Sequence, residues 1–180
     1  MRALFLISIS ISMGVAFGVL SPTLQAAGDA PAAWSYHGAK GPGAWGHLDK
    51  HYSACRTGKR QSPIDIRGAR GTSQATLGFD YLAGATRMAN NGHSVEITFA
   101  KGDRVGNGLT LDGRPYPLRG VHFHAPSEHR INGKRYALEA HFVHGTSNDD
   151  LVVVGVLFEQ GDFDDPVLDD LGTRWPGHTD

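Results

Sequence analysis

The sequence predicts a single domain built mainly of antiparallel β-strands, with short helices at its periphery. Three observations carry that expectation. Twenty-four glycines and nine prolines among 180 residues supply many turns, hence many short strands. Apolar residues alternate at period two between those turns. No stretch shows the sustained 3.6-residue apolar period of a long amphipathic helix.

The elements follow in chain order. Residues 1–27 read as a secretory leader: Arg2 gives a positive start, residues 4–20 are apolar, Pro22 breaks the run, and Ala26 and Ala27 suit a signal peptidase. Cleavage there leaves residues 28–180 in the periplasm or outside the cell, with no membrane anchor. Residues 34–45 mix Trp34, Tyr36 and Trp45 with glycines and read as an irregular wrap. Residues 44–52 suit a short helix, and residues 61–66 a loop. Strands are expected at 74–81, 86–89, 94–100, 108–111, 114–124, 134–144 and 151–160. Turn signals separate them at Asn91-Gly92, Lys101-Gly102, Asp112-Gly113, Asn132-Gly133 and Asn148-Asp149-Asp150. Asp-Gly and Asn-Gly are strong hairpin signals, because a type I′ turn needs positive φ at both central residues. Residues 151–158 (LVVVGVLF) are continuously apolar, as for a strand buried on both faces.

Charge and composition narrow the function. Seventeen Lys+Arg against 18 Asp+Glu give a formal charge of −1, which argues against a nucleic-acid partner. A single cysteine excludes a Cys-rich zinc finger or an internal disulfide framework. Ten histidines make imidazole the available metal ligand. His122 and His124 are two apart in an expected strand, so both rings share one face. A hairpin at Asn132-Gly133 returns a strand in which Glu139, His141 and Val143 share a face. If those faces coincide, three imidazoles converge from neighbouring strands. Such a set suits catalytic zinc and leaves one tetrahedral position open; copper, iron or nickel also accept imidazole. Glu139 and Glu128 are candidates to receive the second ring N–H of a ligating histidine. The spacing His122-x-His124-x3-Glu128 also matches the first metal motif of cupins, with Glu128 as a ligand. The Pro-x-Gly-x-His segment that would complete that motif is not found around His141.

The dispersed blocks resemble the α-class carbonic anhydrases of bacterial type. Trp34-Ser-Tyr36 with Gly43 and Trp45 resembles the family's aromatic cluster. Gln61-Ser-Pro-Ile-Asp65-Ile66, Asn90-Asn-Gly-His93, His122-Phe-His124, Ser127-Glu128-His129 and the run from Tyr136 to His144 resemble its other blocks. The resemblance implies a largely antiparallel twisted sheet and a zinc lyase hydrating CO2 to bicarbonate and a proton. It implies Zn2+ on His122, His124 and His141, with Glu139 orienting His141. It further implies Glu128 in the hydrogen-bond chain serving the zinc-bound hydroxide and His93 as proton shuttle. Tyr36 and Asn90 would stand in a solvent network, and Val143 and Val153 would line the CO2 pocket. An inactive zinc-binding relative is one alternative, and a cupin-type iron or manganese oxidoreductase is the other.

Two departures stand out. The family usually carries Gln where this chain has Gly120. Its Thr-Thr-Pro-Pro loop, and the Cys that pairs with the position of Cys55 in bacterial members, do not occur in these 180 residues. The resemblance therefore predicts a truncated or frameshifted product. On that expectation the chain binds zinc but is aggregation-prone and weakly active.

Overall fold

The structure, a computed structural model, describes residues 2–8, 32–71, 75–81, 87–99, 106–147, 150–162 and 164–176. Residues Ala16–Gln61 form one compact unit, and Met1–Val15 with Ser62–Asp180 form another. The larger unit carries ten strands among the described residues: β1 Arg2–Ser8, β2 Asp65–Ile66, β3 Leu77–Asp80, β4 Arg87–Asn90, β5 Val95–Thr98, β6 Gly108–Leu111, β7 Arg114–His124, β8 Arg130–Ile131, β9 Leu138–Ser147 and β10 Asp150–Glu159. Eight of them form one sheet ordered β1-β10-β9-β7-β5-β4, with β6 beside the first half of β7 and β3 beside β6. Every pairing within it is antiparallel. The mainly β, antiparallel class expected from the sequence is the observed one. β2 and β8 make a separate two-stranded parallel ladder.

Both strong hairpin signals act as expected. Asp112 and Gly113 have φ of 51° and 80° and join β6 to β7; Asn132 and Gly133 have φ of 49° and 84°. Strand boundaries move in one instructive place. The strand expected from residue 134 begins at Leu138, because Lys134 pairs only with Ile131 around the turn. Tyr136 then exchanges backbone and hydroxyl bonds with Ser127 in place of a ladder partner. The expected turns at 101–102 and 148–149, and the strand ends at 74, 86 and 100, lie outside the described residues.

Alternation sorts β7, β9 and β10 onto two faces. One carries Val121 and Phe123, Ala140 and Phe142, and Val152, Val154 and Val156. With Val95, Ile97, Leu109, Tyr116 and Leu118 these make the apolar core. Burying such a side chain contributes about 1.5–3 kcal/mol. The opposite face carries the histidines. In register across β7, β9 and β10 it reads His124–Glu139–Leu157, then His122–His141–Gly155, then Gly120–Val143–Val153. β10 is the apolar strand read from the sequence, with Val152, Val154, Gly155, Val156 and Leu157 buried.

The sequence pattern did not reveal three elements. Arg2–Ser8, within the expected leader, run antiparallel along β10; the leader's residues 9–27 lie outside the described residues. α3, which follows β10 at Pro166–Thr173, starts on an Asp165 cap that accepts from Val167 and Leu168 N–H, with Pro166 in its first turn. The β2–β8 ladder is only two residues long on each side. Among the described residues no helix is long and apolar enough to cross a membrane. The smaller unit holds α1 Trp45–Leu48 and α2 Ala54–Thr57, where one short helix was expected over 44–52, and Cys55 is exposed as a free thiol. Trp34, Tyr36 and Trp45 pack edge to face there, with ring centroids 5.1–5.8 Å apart.

His144 closes the core side of β9. It is fully buried; its Nδ1 donates to the Val152 carbonyl at 3.2 Å and its Nε2 accepts from the Tyr81 hydroxyl at 2.9 Å. One ring nitrogen donates and the other accepts, so the neutral ring fits. Burial pushes His144 down to about 4 and the Tyr81 hydroxyl up to about 12. Because the unfolded chain takes up this proton first, His144 stabilises the fold fully above about pH 6.5. That contribution is lost as pH falls from there toward 4. Denaturant titrations at successive pH values should show His144→Phe reducing the slope of stability against pH in this window, by up to about 1.4 kcal/mol per pH unit. An unchanged slope would contradict the assignment.

Candidate metal centre

The middle row of the histidine face brings His122 of β7 directly opposite His141 of β9. His124 lies one row along, two residues on in β7. The three ring centroids are 4.7–5.1 Å apart. One donor nitrogen from each ring lies within 4.8 Å of the others, and His141 Nδ1 stands 3.2 Å from His122 Nε2. Zinc–nitrogen bonds of about 2.0–2.1 Å place tetrahedral ligands about 3.3–3.4 Å apart, so the set is near the required size.

Protonation agrees with geometry. Burial, reinforced by the neighbouring His141, pushes His122 down to about 4 and His124 down to about 3. Both rings are therefore neutral at pH 7 and offer lone pairs. His141 Nε2 donates to Glu139 Oε1 at 2.8 Å, which leaves His141 Nδ1 as the acceptor nitrogen turned toward the other two rings. A ligating histidine commonly has this arrangement. The donor chemistry, the tautomer and the spacing fit a zinc ion.

Glu139 is the most constrained side chain in the region. It is fully buried, and its Oε1 also accepts from His129 Nδ1 at 2.5 Å. Its Oε2 accepts the backbone N–H groups of Glu128 and His129 at 2.8 and 2.9 Å. Burial alone would raise its pKa, but the hydrogen bonds from His129 and His141 outweigh that and hold the carboxyl well below the usual range. His129 is itself 2% exposed, with Nε2 3.3 Å from Ser62 Oγ. Sequence reasoning gave His129 no role. It sits in the irregular segment between β7 and β8, where no period assigns a face. The available signal was its place in Ser127-Glu128-His129, next to one candidate carboxylate.

The other expected site residues divide. Val143 and Val153 face each other across β9 and β10, half-buried, in the row next to His141. Gly120 completes that row, and a Cβ built on it would stand 3.0 Å from the Ile97 carbonyl oxygen. The close approach of β5 thus leaves little room for a side chain at this position. Glu128 is half-buried, with Oε2 3.2 Å from His124 Nε2 and 4.0 Å from His141 Nδ1. Asn90 ends β4, its Oδ1 accepting from Gly92 N–H at 3.0 Å. His93 follows in the turn, exposed, with its N–H bonded to Asn91 Oδ1. Ser94 then ties the turn to β7 through both backbone groups of Phe123, at the His124 end. Tyr36 belongs to the smaller unit, in the aromatic cluster described above.

The buried carboxylate generates a prediction. Glu139→Ala removes the acceptor from two imidazoles and two backbone N–H groups. Zinc affinity, measured by chelator competition, should fall about 10–100-fold, as for losses of this type of support. Glu139→Asp should fall in the same direction, because the shorter side chain reaches fewer donors. Unchanged affinity in both would contradict the role.

Comparison with known proteins supplies the family. The family model for eukaryotic-type carbonic anhydrase matches residues 40–174. A carbonic anhydrase of Pectobacterium atrosepticum is 35% identical over 165 residues, covering 90% of this chain and 64% of that protein. One of Klebsiella pneumoniae is 41% identical over 128 residues, covering 71% and 51%. The solved structure of the α-carbonic anhydrase from Thermovibrio ammonificans, in complex with the inhibitor sulfanilamide, superposes with a TM-score of 0.71 at 38% identity, covering 81% of this chain and 63% of that one. The chain therefore spans about half to two thirds of the length of these relatives. With the sheet, the histidine face and these similarities in agreement, the chain belongs to the α-class, eukaryotic-type carbonic anhydrase family.

Proposed function

We propose that this chain carries a carbonate dehydratase site, a zinc lyase reversibly hydrating CO2 to bicarbonate and a proton. The observation that carries the reading is the convergence of three imidazole nitrogens, one oriented by a buried carboxylate, beside an apolar row. His122 Nε2, His124 Nε2 and His141 Nδ1 hold the ion. Zinc held there supplies a Lewis acid that brings the pKa of water toward neutrality, a property for which carbonic anhydrase is itself the reference case. Glu139 keeps the second N–H of His141 and so keeps Nδ1 available.

Val143 and Val153 offer CO2 a small apolar wall, suited to a molecule without a dipole. Glu128 stands at the edge of the donor set as the acceptor in the hydrogen-bond chain serving the nucleophile. His93 is the proton shuttle: an imidazole can take and give a proton, and this residue is exposed in the turn that Ser94 ties to β7 next to His124, with Asn90 beside it. The apolar leader at residues 1–27 supports export to the periplasm or beyond. A non-catalytic zinc-binding relative is the second reading, favoured by Gly120, which has no side chain to support His122 two residues on in β7.

Metal analysis with stopped-flow CO2 hydration separates the two. The expected result is one zinc per chain and sulfonamide-sensitive hydration. His124→Ala should lose both, with zinc affinity down about 100-fold or more. His93→Ala should keep zinc, lose about 10–100-fold in hydration rate, and recover with added imidazole buffer. One zinc per chain with no hydration would establish the second reading.

A further inference from the structure

The turn that carries His93 is held in two separate ways. Its shape is held from inside. Asn91 Oδ1 accepts the N–H groups of His93 and Ser94 at 3.0 and 2.8 Å, and Asn91 N–H donates to the Ser94 carbonyl at 3.1 Å. Gly92 supplies the left-handed backbone the turn needs, with φ of 82°. Its place on the sheet is held from outside, by one hydroxyl. The β5–β7 ladder runs from Thr98 opposite Gly120 to Glu96 opposite His122. Past Glu96 a side chain takes over. Ser94 Oγ donates to the Phe123 carbonyl at 2.7 Å and accepts the Phe123 N–H at 3.1 Å. The Val95 carbonyl is a more distant acceptor for the same hydroxyl, at 3.1 Å.

The location of this clamp gives it a consequence for the site. Phe123 stands between His122 and His124 in β7 and is buried in the core. Both of its main-chain polar groups bond to the residue that follows His93. The clamp thus joins the strand carrying two of the imidazole donors to the turn carrying the shuttle. Alanine at position 94 would keep the bonds to Asn91, which come from backbone groups, and so the shape of the turn. It would remove the tie to β7 and take the partner from two main-chain groups of Phe123.

We propose that Ser94 is a positioning residue for proton transfer, its hydroxyl fixing where the His93 turn sits relative to the histidine face. The proposal rests on the shuttle reading of His93 and deepens it. A relay depends steeply on placement, so a displacement of about 1 Å in the turn is felt in its rate. The proton leaves after bicarbonate has gone, so the relay enters kcat and not kcat/KM. Ser94 therefore acts through His93 and not on the conversion of CO2 itself.

The test compares the zinc-loaded full chain with Ser94→Ala, His93→Ala and the double variant in stopped-flow CO2 hydration. Amide hydrogen exchange is followed in the metal-free forms of wild type and Ser94→Ala. Ser94→Ala should lower kcat about 10-fold, keep kcat/KM within about twofold, and recover with added imidazole buffer. In the double variant it should add nothing to the loss caused by His93→Ala. Without metal, the Phe123 amide should exchange about 10-fold faster in Ser94→Ala, with the Val121 amide unchanged. An unchanged Phe123 amide, an unchanged kcat, a parallel fall in kcat/KM, or losses that multiply in the double variant would each overturn the positioning role. A His93→Ala loss rescued by imidazole would then leave the shuttle standing. Wild type without hydration, or His93→Ala with undiminished kcat, would overturn the shuttle and this role with it. If far-UV circular dichroism shows that Ser94→Ala does not fold, Ser94→Cys, whose thiol is a weaker partner, decides in its place.

Discussion

The site depends on one buried anion. The Glu139 carboxylate accepts two imidazole N–H groups and two backbone N–H groups, and no part of it reaches solvent. An unpaired carboxylate at that depth would cost several kcal/mol. Four donors make it tolerable and, in return, fix four groups. They set the tautomer of His141, the ring of His129 and the path of the backbone through Glu128 and His129. Removing the carboxylate would therefore leave two buried rings and two buried amides without acceptors, a larger disturbance than the loss of one contact.

The sheet explains why that anion lies beside the histidines. Period two in β7, β9 and β10 gives one face to Val, Phe and Ala and the other to three registered rows. The rows differ in character: His124–Glu139–Leu157 supplies the anion and one imidazole, His122–His141–Gly155 the other two imidazoles, and Gly120–Val143–Val153 an apolar wall. A one-residue slip of β9 against β7 would send His141 into the valine core and Phe142 onto the histidine face. The core and the site therefore protect each other's register. The irregular segment between β7 and β8 then covers the Glu139 end, where Ser127 and His129 are also buried.

Much of this was legible because it is periodic or rests on turn chemistry. His122 and His124 two apart, the Asp112-Gly113 and Asn132-Gly133 turns, and the unbroken apolar run of β10 each have a local physical cause. That His122 would face His141 needed one further assumption, that the two site faces coincide, and the register supplies it. What escaped has no period. His129 acquires its position from Glu139, ten residues away, and from Ser62, 67 residues away. β9 starts late because Tyr136 and Ser127 satisfy each other locally. α3 is eight residues long, and its signal lay in the Asp165-Pro166 cap, not in an apolar stripe.

The central claim is that one zinc ion takes three imidazoles from this face, one of them held by Glu139. X-ray absorption at the zinc edge of the zinc-loaded chain tests it most directly. The account predicts multiple scattering from three imidazoles at about 2.0–2.1 Å, with the remaining light-atom donor an oxygen. A shell with fewer than three imidazoles, or one containing sulfur from Cys55, would contradict it.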